Sequence, residues 1–209
     1  MTKHHTLLWF KNDLRLHDNE SLTNAIKSKQ SILPIYIFDK NIFQDLPLGF
    51  PKSDVVRFQF ISQCVCNLRD NLKSIGGNLM IVYGEPETII PQLTAKYNCN
   101  KIYAEQEFAT EELLQIDKIK KNLPASTAIN LTWGRTLYHL NDIPYSPEKI
   151  PLTSKAFRIN TTKTTDVRAV FEKPTSIDVV GLEDNEWGNL PNKEDVGLNH
   201  DKNFALNVE

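Results

Sequence analysis

Two stretches of the chain set charged side chains directly after short apolar runs. One is Phe10-Lys11-Asn12-Asp13-Leu14-Arg15-Leu16-His17-Asp18-Asn19, and the other is Glu105-Gln106-Glu107-Phe108-Ala109-Thr110-Glu111-Glu112. The carboxylates of Glu105, Glu107, Glu111 and Glu112 can accept hydrogen bonds from the N–H groups of a heterocycle, and Lys11 with Asn12 offers the opposite polarity. Other chemistries lack their residues. There is no Gly-x-Gly-x-x-Gly turn and no Gly-Lys-Ser/Thr phosphate loop. A Gly-x-Ser-x-Gly elbow and a His-Glu-x-x-His helix are equally missing. No catalytic residue and no metal site is assigned. Cys64, Cys66 and Cys99 form no Cys-x-x-C pair, which argues against a zinc site or a disulfide framework. It also points to a reducing compartment, here the cytoplasm.

Plainer roles stand beside these. Arg15 and Asp18 can form a local ion pair that fixes their loop. His17 reads as a loop hydrogen-bonder, and Trp9 as core. Glu111 and Glu112 favour the dipole of the helix they open. Lys118, Lys120 and Lys121 read as a solvated helix face.

The elements that must position these loops follow from periodicity. Apolar or β-branched runs at Thr6–Phe10, Ser31–Phe38, Asn78–Tyr83, Lys101–Ala104 and Ala128–Trp133 predict five buried strands. Pro34 inside the second predicts an early position in the strand or an irregular ladder there. Helical patterns lie between them. One follows the capping residues Asp18-Asn19. A long one runs from Val55 to about Ile75, with Phe60 or Ile61, Cys64, Leu68, Leu72 and Ile75 as its buried stripe. Others start at Pro86 and at Thr110. Strand–helix alternation predicts a doubly wound, Rossmann-like parallel α/β sheet with strand order 3-2-1-4-5. In that order the two charged stretches meet at the switch point between the first and fourth strands, where ligands of open α/β sheets sit.

From residue 136 the pattern fades, broken by Pro144, Pro147, Pro151, Pro174 and Pro191. Ala156-Phe157-Arg158 reads as one short helix. We expect an α/β domain over residues 1–135 and an interdomain-type linker with a polar tail over 136–209, loose from Glu183 onward. The composition is that of a globular chain, 40% hydrophobic and 24% charged, with a net charge of −2. That balance argues against a chain gripping DNA by itself. No apolar run approaches the ~20 residues of a membrane span, and no signal-peptide layout precedes Thr6.

The run Leu8-Trp9-Phe10-Lys11-Asn12-Asp13-Leu14-Arg15-Leu16-His17-Asp18-Asn19-Glu20-Ser21-Leu22 closely resembles the opening motif of DNA photolyases and cryptochromes, W-F-R-x-D-L-R-x-x-D-N-x-x-L, with Lys11 where Arg is usual. Arg57-Phe58-Gln59-Phe60 with the following Leu68 and Leu72, Gly84-Glu85-Pro86, Asp142-Ile143-Pro144-Tyr145, Ser154 to Arg158 and Val167-Arg168 resemble later stretches of that family in order. Glu105 to Glu112 resembles its DASH-type members. The resemblance runs from about residue 6 to about residue 175.

It implies the N-terminal α/β domain of a photolyase or cryptochrome, a deoxyribodipyrimidine photo-lyase by class, without the helical domain that binds FAD and forms most of the DNA groove. It further implies an antenna pigment, methenyltetrahydrofolate, held in a cleft between the two domains. Glu111 matches the position that accepts hydrogen bonds from the pterin. Thr110 matches its polar neighbour, and Phe10, Lys11 and Asn12 line the same loop. The expected role is the antenna half of a light-dependent DNA-repair or blue-light photoreceptor system, not competent alone. FAD would come only through a helical domain that is either separate, on another chain, or missing, DNA would be contacted only indirectly, and no membrane is involved. A pigment-free regulatory or protein-interaction module is the alternative. A generic flavodoxin-like or stress-protein fold would explain the alternation of elements but not the long opening motif.

Overall fold

A computed structural model describes residues 3–47, 49–50 and 52–198. Five parallel strands form its centre: β1 (His5–Phe10), β2 (Ile32–Asp39), β3 (Met80–Gly84), β4 (Cys99–Glu105) and β5 (Ala128–Thr132). Their order is β3-β2-β1-β4-β5, the doubly wound arrangement expected from the alternation. The helices are α1 (Glu20–Lys27), the short α2 (Lys40–Phe43), α3 (Val55–Ser74), α4 (Pro86–Lys96), α5 (Thr110–Asn122) and α6 (Ser154–Thr164). The last contains the expected Ala156-Phe157-Arg158 turn and extends it on both sides.

Side chains alternate across the sheet, so each strand feeds two cores. Leu8, Phe10, Phe38 and Ile81 pack with Leu22, Phe58, Leu68 and Leu72 on the face covered by α1 and α3. Leu7, Trp9, Ile35 and Ile102 pack with Ile90, Ile116 and Ile119 on the face covered by α4 and α5. Trp9 is core, as its setting in the first strand predicts. The buried stripe of α3 matches the expected one at Leu68 and Leu72 and, partly buried against the same core, at Ile61 and Ile75. Val55, Phe58, Val65, Leu68 and Leu72 are buried, whereas Phe60 is exposed and Cys64 lies at the flank. The apolar positions of α3 exceed one face, and the sheet rather than the pattern selects which of them turn inward.

The polar tail is not loose as far as residue 198. Ile177, Val180, Trp187, Val196 and Leu198 are all buried, and they contribute to both cores. The stretch from Phe171 to Leu198 forms a strap. It begins beside the loop after β1, where the Asp18 N–H donates to the Phe171 carbonyl at 2.7 Å and the Phe171 N–H donates to the Asp18 carboxylate at 3.2 Å. It then reaches β2, where the Ile32 N–H donates to the Asp178 carbonyl at 2.8 Å and the Val180 N–H to the Ile32 carbonyl at 2.9 Å. A few apolar anchors spaced along a polar sequence produce no periodicity, which is why the strap reads as a tail. The remainder, residues 199–209, lies outside the described residues.

The same bridge explains Pro34. Backbone groups of a strand point to alternate sides, so Pro34 faces the side that Ile32 faces. The strap pairs with β2 at Ile32, and β3 begins only at the Ile35–Met80 register. Pro34 therefore falls in the gap between two partners, and its missing N–H leaves no ladder bond unmade.

Asp18 and Arg15 do not pair through their charges. The Arg15 guanidinium donates to the Asp18 carbonyl at 3.0 Å, and the Asp18 carboxylate turns to Phe171 instead. Asp18 sits at φ +48°, a conformation that an Asp tolerates better than most residues. Among the described residues, no helix is long and apolar enough to cross a membrane.

Candidate functional site

The chain leaves β1 as an apolar strand and turns at once into charge. Lys11 is nevertheless 8% exposed. Its ammonium lies 4.3 Å from the centroid of the Trp9 ring and 3.1 Å from Glu107 Oε2. The turn is held by Asp13, whose Oδ1 accepts from the Lys11 N–H at 2.9 Å and whose Oδ2 accepts from Asn19 Nδ2 at 3.0 Å. Asn19 in turn caps α1 by accepting from the Leu22 N–H. Burial pushes the Asp13 carboxyl above its ordinary value, against the pull of these donors.

β4 delivers the opposing carboxylates. Glu107 accepts from Lys11, from Asn12 Nδ2 at 2.9 Å and from Arg135 Nη2 at 2.5 Å. Arg135 also donates from Nε to Glu105 at 2.9 Å. The Glu105 carboxyl is raised, first by burial and then by the charge of Asp13, while Arg135 pulls it down. Gly134 leaves room for this group: a Cβ there would stand 3.0 Å from Glu105 Oε1.

Between the carboxyl ends of β1, β2 and β4 opens a cleft of about 440 Å³, within the range of small-molecule sites. Phe10, Lys11, Asn12, Glu107, Glu111 and Glu112 all line it, so both charged stretches meet in one cavity. Two residues singled out by sequence stay outside this wall: Thr110, the exposed first residue of α5, and Glu105, whose carboxylate is turned to Arg135. Glu111, whose side chain is 70% exposed, pairs with Lys52 from the loop before α3. Glu112, one position further along α5, has a buried Oε2 with no donor among the described residues.

Tyr36, Asp39, Lys52, Arg57, Glu87 and Gln115 complete the wall, and none of them was assigned from sequence. Burial raises the Tyr36 phenol, so its hydroxyl stays protonated. Gln115 Nε2 donates to Asp39 at 2.8 Å and to Glu87 at 3.4 Å, tying α5 to the ends of β2 and α4. No local signal marks these residues. They are ordinary polar positions at element ends, and only the crossing of the chain brings them together. The same holds for Arg135, which follows β5 and reaches across to both carboxylates of the second stretch.

The cleft thus presents fixed carboxylate acceptors, a few cations and an aromatic and aliphatic floor. It can bind and orient a polar heterocycle. Among the described residues, no group of three or more His, Cys, Asp or Glu side chains converges as a metal site would require.

These features define a doubly wound α/β domain with a ligand cleft at its switch point. The family model for DNA photolyase matches residues 6–175, and the chain belongs to the DNA photolyase family. It is 34% identical over 214 residues to a protein named cryptochrome DASH, chloroplastic/mitochondrial, from Solanum lycopersicum, covering 94% of this chain and 37% of that one. Identity to the blue-light photoreceptor PHR2 of Arabidopsis thaliana is also 34%, over 92% of this chain and 43% of the relative. The solved cryptochrome of Synechocystis sp. PCC6803 superposes with a TM-score of 0.84 at 33% identity, over 93% of this chain and 41% of that one. A photolyase of Sulfolobus tokodaii shares the fold at a TM-score of 0.70 and 20% identity. The chain therefore spans well under half the length of each relative.

Proposed function

We propose that this chain is the antenna half of a light-dependent DNA-repair or blue-light-sensing flavoprotein, with methenyltetrahydrofolate held in the cleft at the carboxyl ends of β1, β2 and β4. The observation that carries the reading is the meeting of the two family-like charged stretches in one cavity. The donor set fits. The 2-amino and N3–H groups of a pterin need carboxylate acceptors, and Glu111 and Glu112 stand on the first turn of α5. Phe10 and Tyr36 add apolar surface beneath them. The pigment, when bound, would absorb near-ultraviolet light and pass the energy to a flavin.

The residues of this chain bind and orient. Lys11, Asn12 and Arg135 fix Glu107, and Asp13 and Asn19 fix the turn that carries Lys11. FAD and the DNA lesion belong to a helical domain that closes the other side of the cleft, and DNA contact is indirect. Exposed Leu137, Leu140, Ile150 and Leu152 after β5 support a docked partner surface. Three free thiols support a reducing compartment such as the cytoplasm.

Co-expression with a helical flavin-binding protein tests this. The expected complex carries a near-ultraviolet folate band, and exciting that band yields flavin emission. A chain that neither associates nor acquires the band overturns the reading. One observation favours a pigment-free regulatory module instead. Glu107 and Glu111 are already matched by internal cations, so the cleft is electrostatically stable without a ligand.

A further inference from the structure

The face of the sheet that carries α1 changes character at its β5 edge. There β4 and β5 present Lys101, Tyr103, Asn130 and Thr132, while Ile102, Ala104, Ile129 and Leu131 fill the opposite face. Strand alternation writes this polarity into the sequence. Strands meant to be covered by apolar helices on both sides are apolar throughout.

A groove of about 810 Å³ runs over this polar floor, a size typical of small-molecule sites. Asn24 and Lys27 of α1 line one side of it, and Trp133 with His139, Leu140 and Asn141 the other. Its walls are braced. Ser21 Oγ and Thr132 Oγ1, 2.5 Å apart, pin α1 to β5. Arg168 forks Asp142, next to the second wall, at 2.5 and 2.8 Å. The Trp133 N–H donates to Thr136 Oγ1 at 2.7 Å, and the Phe108 ring lies 5.8 Å from the Trp133 ring.

The cations of this groove differ from those of the cleft at the carboxyl ends. In the cleft, Lys11, Lys52, Lys118 and Arg135 each meet a carboxylate. In the groove, neither Lys27 nor Lys101 forms an ion pair among the described residues. Lys27 suits the C-terminal dipole of α1, a common place for a cation. Lys101 comes from the start of β4 and has no such duty. The acid of the groove, Glu20, stands at the other end of α1, about 10 Å of helical rise away. Trp133 lies at that same end, because Lys101 pairs with Ala128 at the start of β5 and Trp133 follows its last residue.

We propose that this groove is a second ligand site, for a nucleoside monophosphate. The phosphate lies between Lys27 and Lys101, and the base lies against Trp133 and Leu140. Two ammoniums without a counter-charge suit a dianion, which relieves their mutual repulsion and takes charge-assisted bonds. Glu20 repels the phosphate from the wrong end and so sets the orientation. An indole face offers stacking that any base can use. The amides of Asn24 and Asn130 stand between the two ends, where the sugar hydroxyls fall. The groove and the pigment cleft share no lining residue, so this site does not depend on the pigment reading.

Calorimetric titration of the full chain with adenosine monophosphate, adenosine and inorganic phosphate tests the site. We expect adenosine monophosphate to bind, and the other two to be weaker by about tenfold or more. Lys27→Ala and Lys101→Ala should each weaken the nucleotide by about threefold to tenfold and leave adenosine unchanged. Added salt should likewise weaken the nucleotide alone. The nucleotide should quench Trp133 fluorescence, since Trp9 and Trp187 are buried in the core of the opposite face. Trp133→Phe should remove that quenching and keep the binding.

A chain that does not bind adenosine monophosphate at millimolar concentration overturns the proposal. Binding that falls with Lys52→Ala but ignores Lys27→Ala and Lys101→Ala puts the nucleotide in the other cleft and overturns it too. Inorganic phosphate that binds as tightly as the nucleotide leaves no role for the base, and overturns the nucleoside assignment.

Discussion

In the strap, a single guanidinium answers three carbonyls. Arg69, on α3, donates to Leu79 at 3.1 and 2.8 Å, to Trp187 at 2.8 Å and to Gly188 at 2.8 Å. In the cleft, on the same sheet, a carboxylate oxygen of Glu112 finds no donor among the described residues, and behind its wall Glu105 and Asp13 keep raised carboxyls. Both regions consist of irregular chain laid over strand ends. They differ in whether their polar groups are closed on one another. Among the described residues of the strap no buried side-chain nitrogen or oxygen lacks a partner, and the apolar anchors are sunk into both cores. The cleft keeps acceptor capacity in hand, as the proposed ligand site would.

The contrast can be broken most directly at Arg69. Arg69→Ala leaves the Leu79, Trp187 and Gly188 carbonyls without their donor, and should cost about 3 kcal/mol in urea unfolding. Trp187 fluorescence should shift toward that of a solvated indole as the strap lifts. A variant as stable as wild type would show that the strap is held by its apolar anchors alone.

Gly188→Ala tests the same region by sterics. Gly188 has φ +65°, and a Cβ there would stand 2.3 Å from the Ile81 carbonyl oxygen. The expected loss is about 2 kcal/mol, with the strap displaced from β3. A neutral result would mean that β3 and the strap can part at little cost.

Asp13→Asn probes by pH the turn that carries Lys11 into the cleft. Burial holds this carboxyl above its ordinary 3.8, so the folded state binds the proton more tightly than the unfolded chain does. The contribution of the group to stability is greatest below the unfolded value and is lost as pH rises through the raised folded value. Wild type should therefore lose stability relative to the variant as pH rises from the ordinary carboxylate value through the raised folded one. A difference independent of pH would remove Asp13 as a strained group.

Lys52→Ala should show the smallest effect. Its pair with Glu111 is solvent-exposed, 41% on the Lys side, and should contribute less than about 1 kcal/mol, screened further by salt. A larger loss would mean that the mouth of the cleft is as closed as the strap, and the contrast between the two regions would narrow.

Much of this was legible in the residues. Short apolar runs ending in charge located the strands, and Pro86 and Asn19 located helix starts, because these signals act within one turn of chain. The charged stretches after β1 and β4 could be paired in advance because the common doubly wound order 3-2-1-4-5 sets those two strands side by side at its switch point. The stripe of α3 was less legible, since Phe60 and Phe58 are equally apolar and only packing chooses between them.

The sequence by itself determined the order of elements, the parallel sheet and the meeting of two polar loops at its switch point. These depend on local propensity and on the chirality of the chain. Tertiary structure alone decided that Arg135, Lys52 and Gln115 join the cleft, and that the polar stretch after Phe171 is a strap. It also decided that Glu112 rather than Glu111 keeps an unanswered oxygen. Each of these is a contact between residues distant along the chain, and the free energy of such a contact resides in the pair, where neither residue alone can announce it.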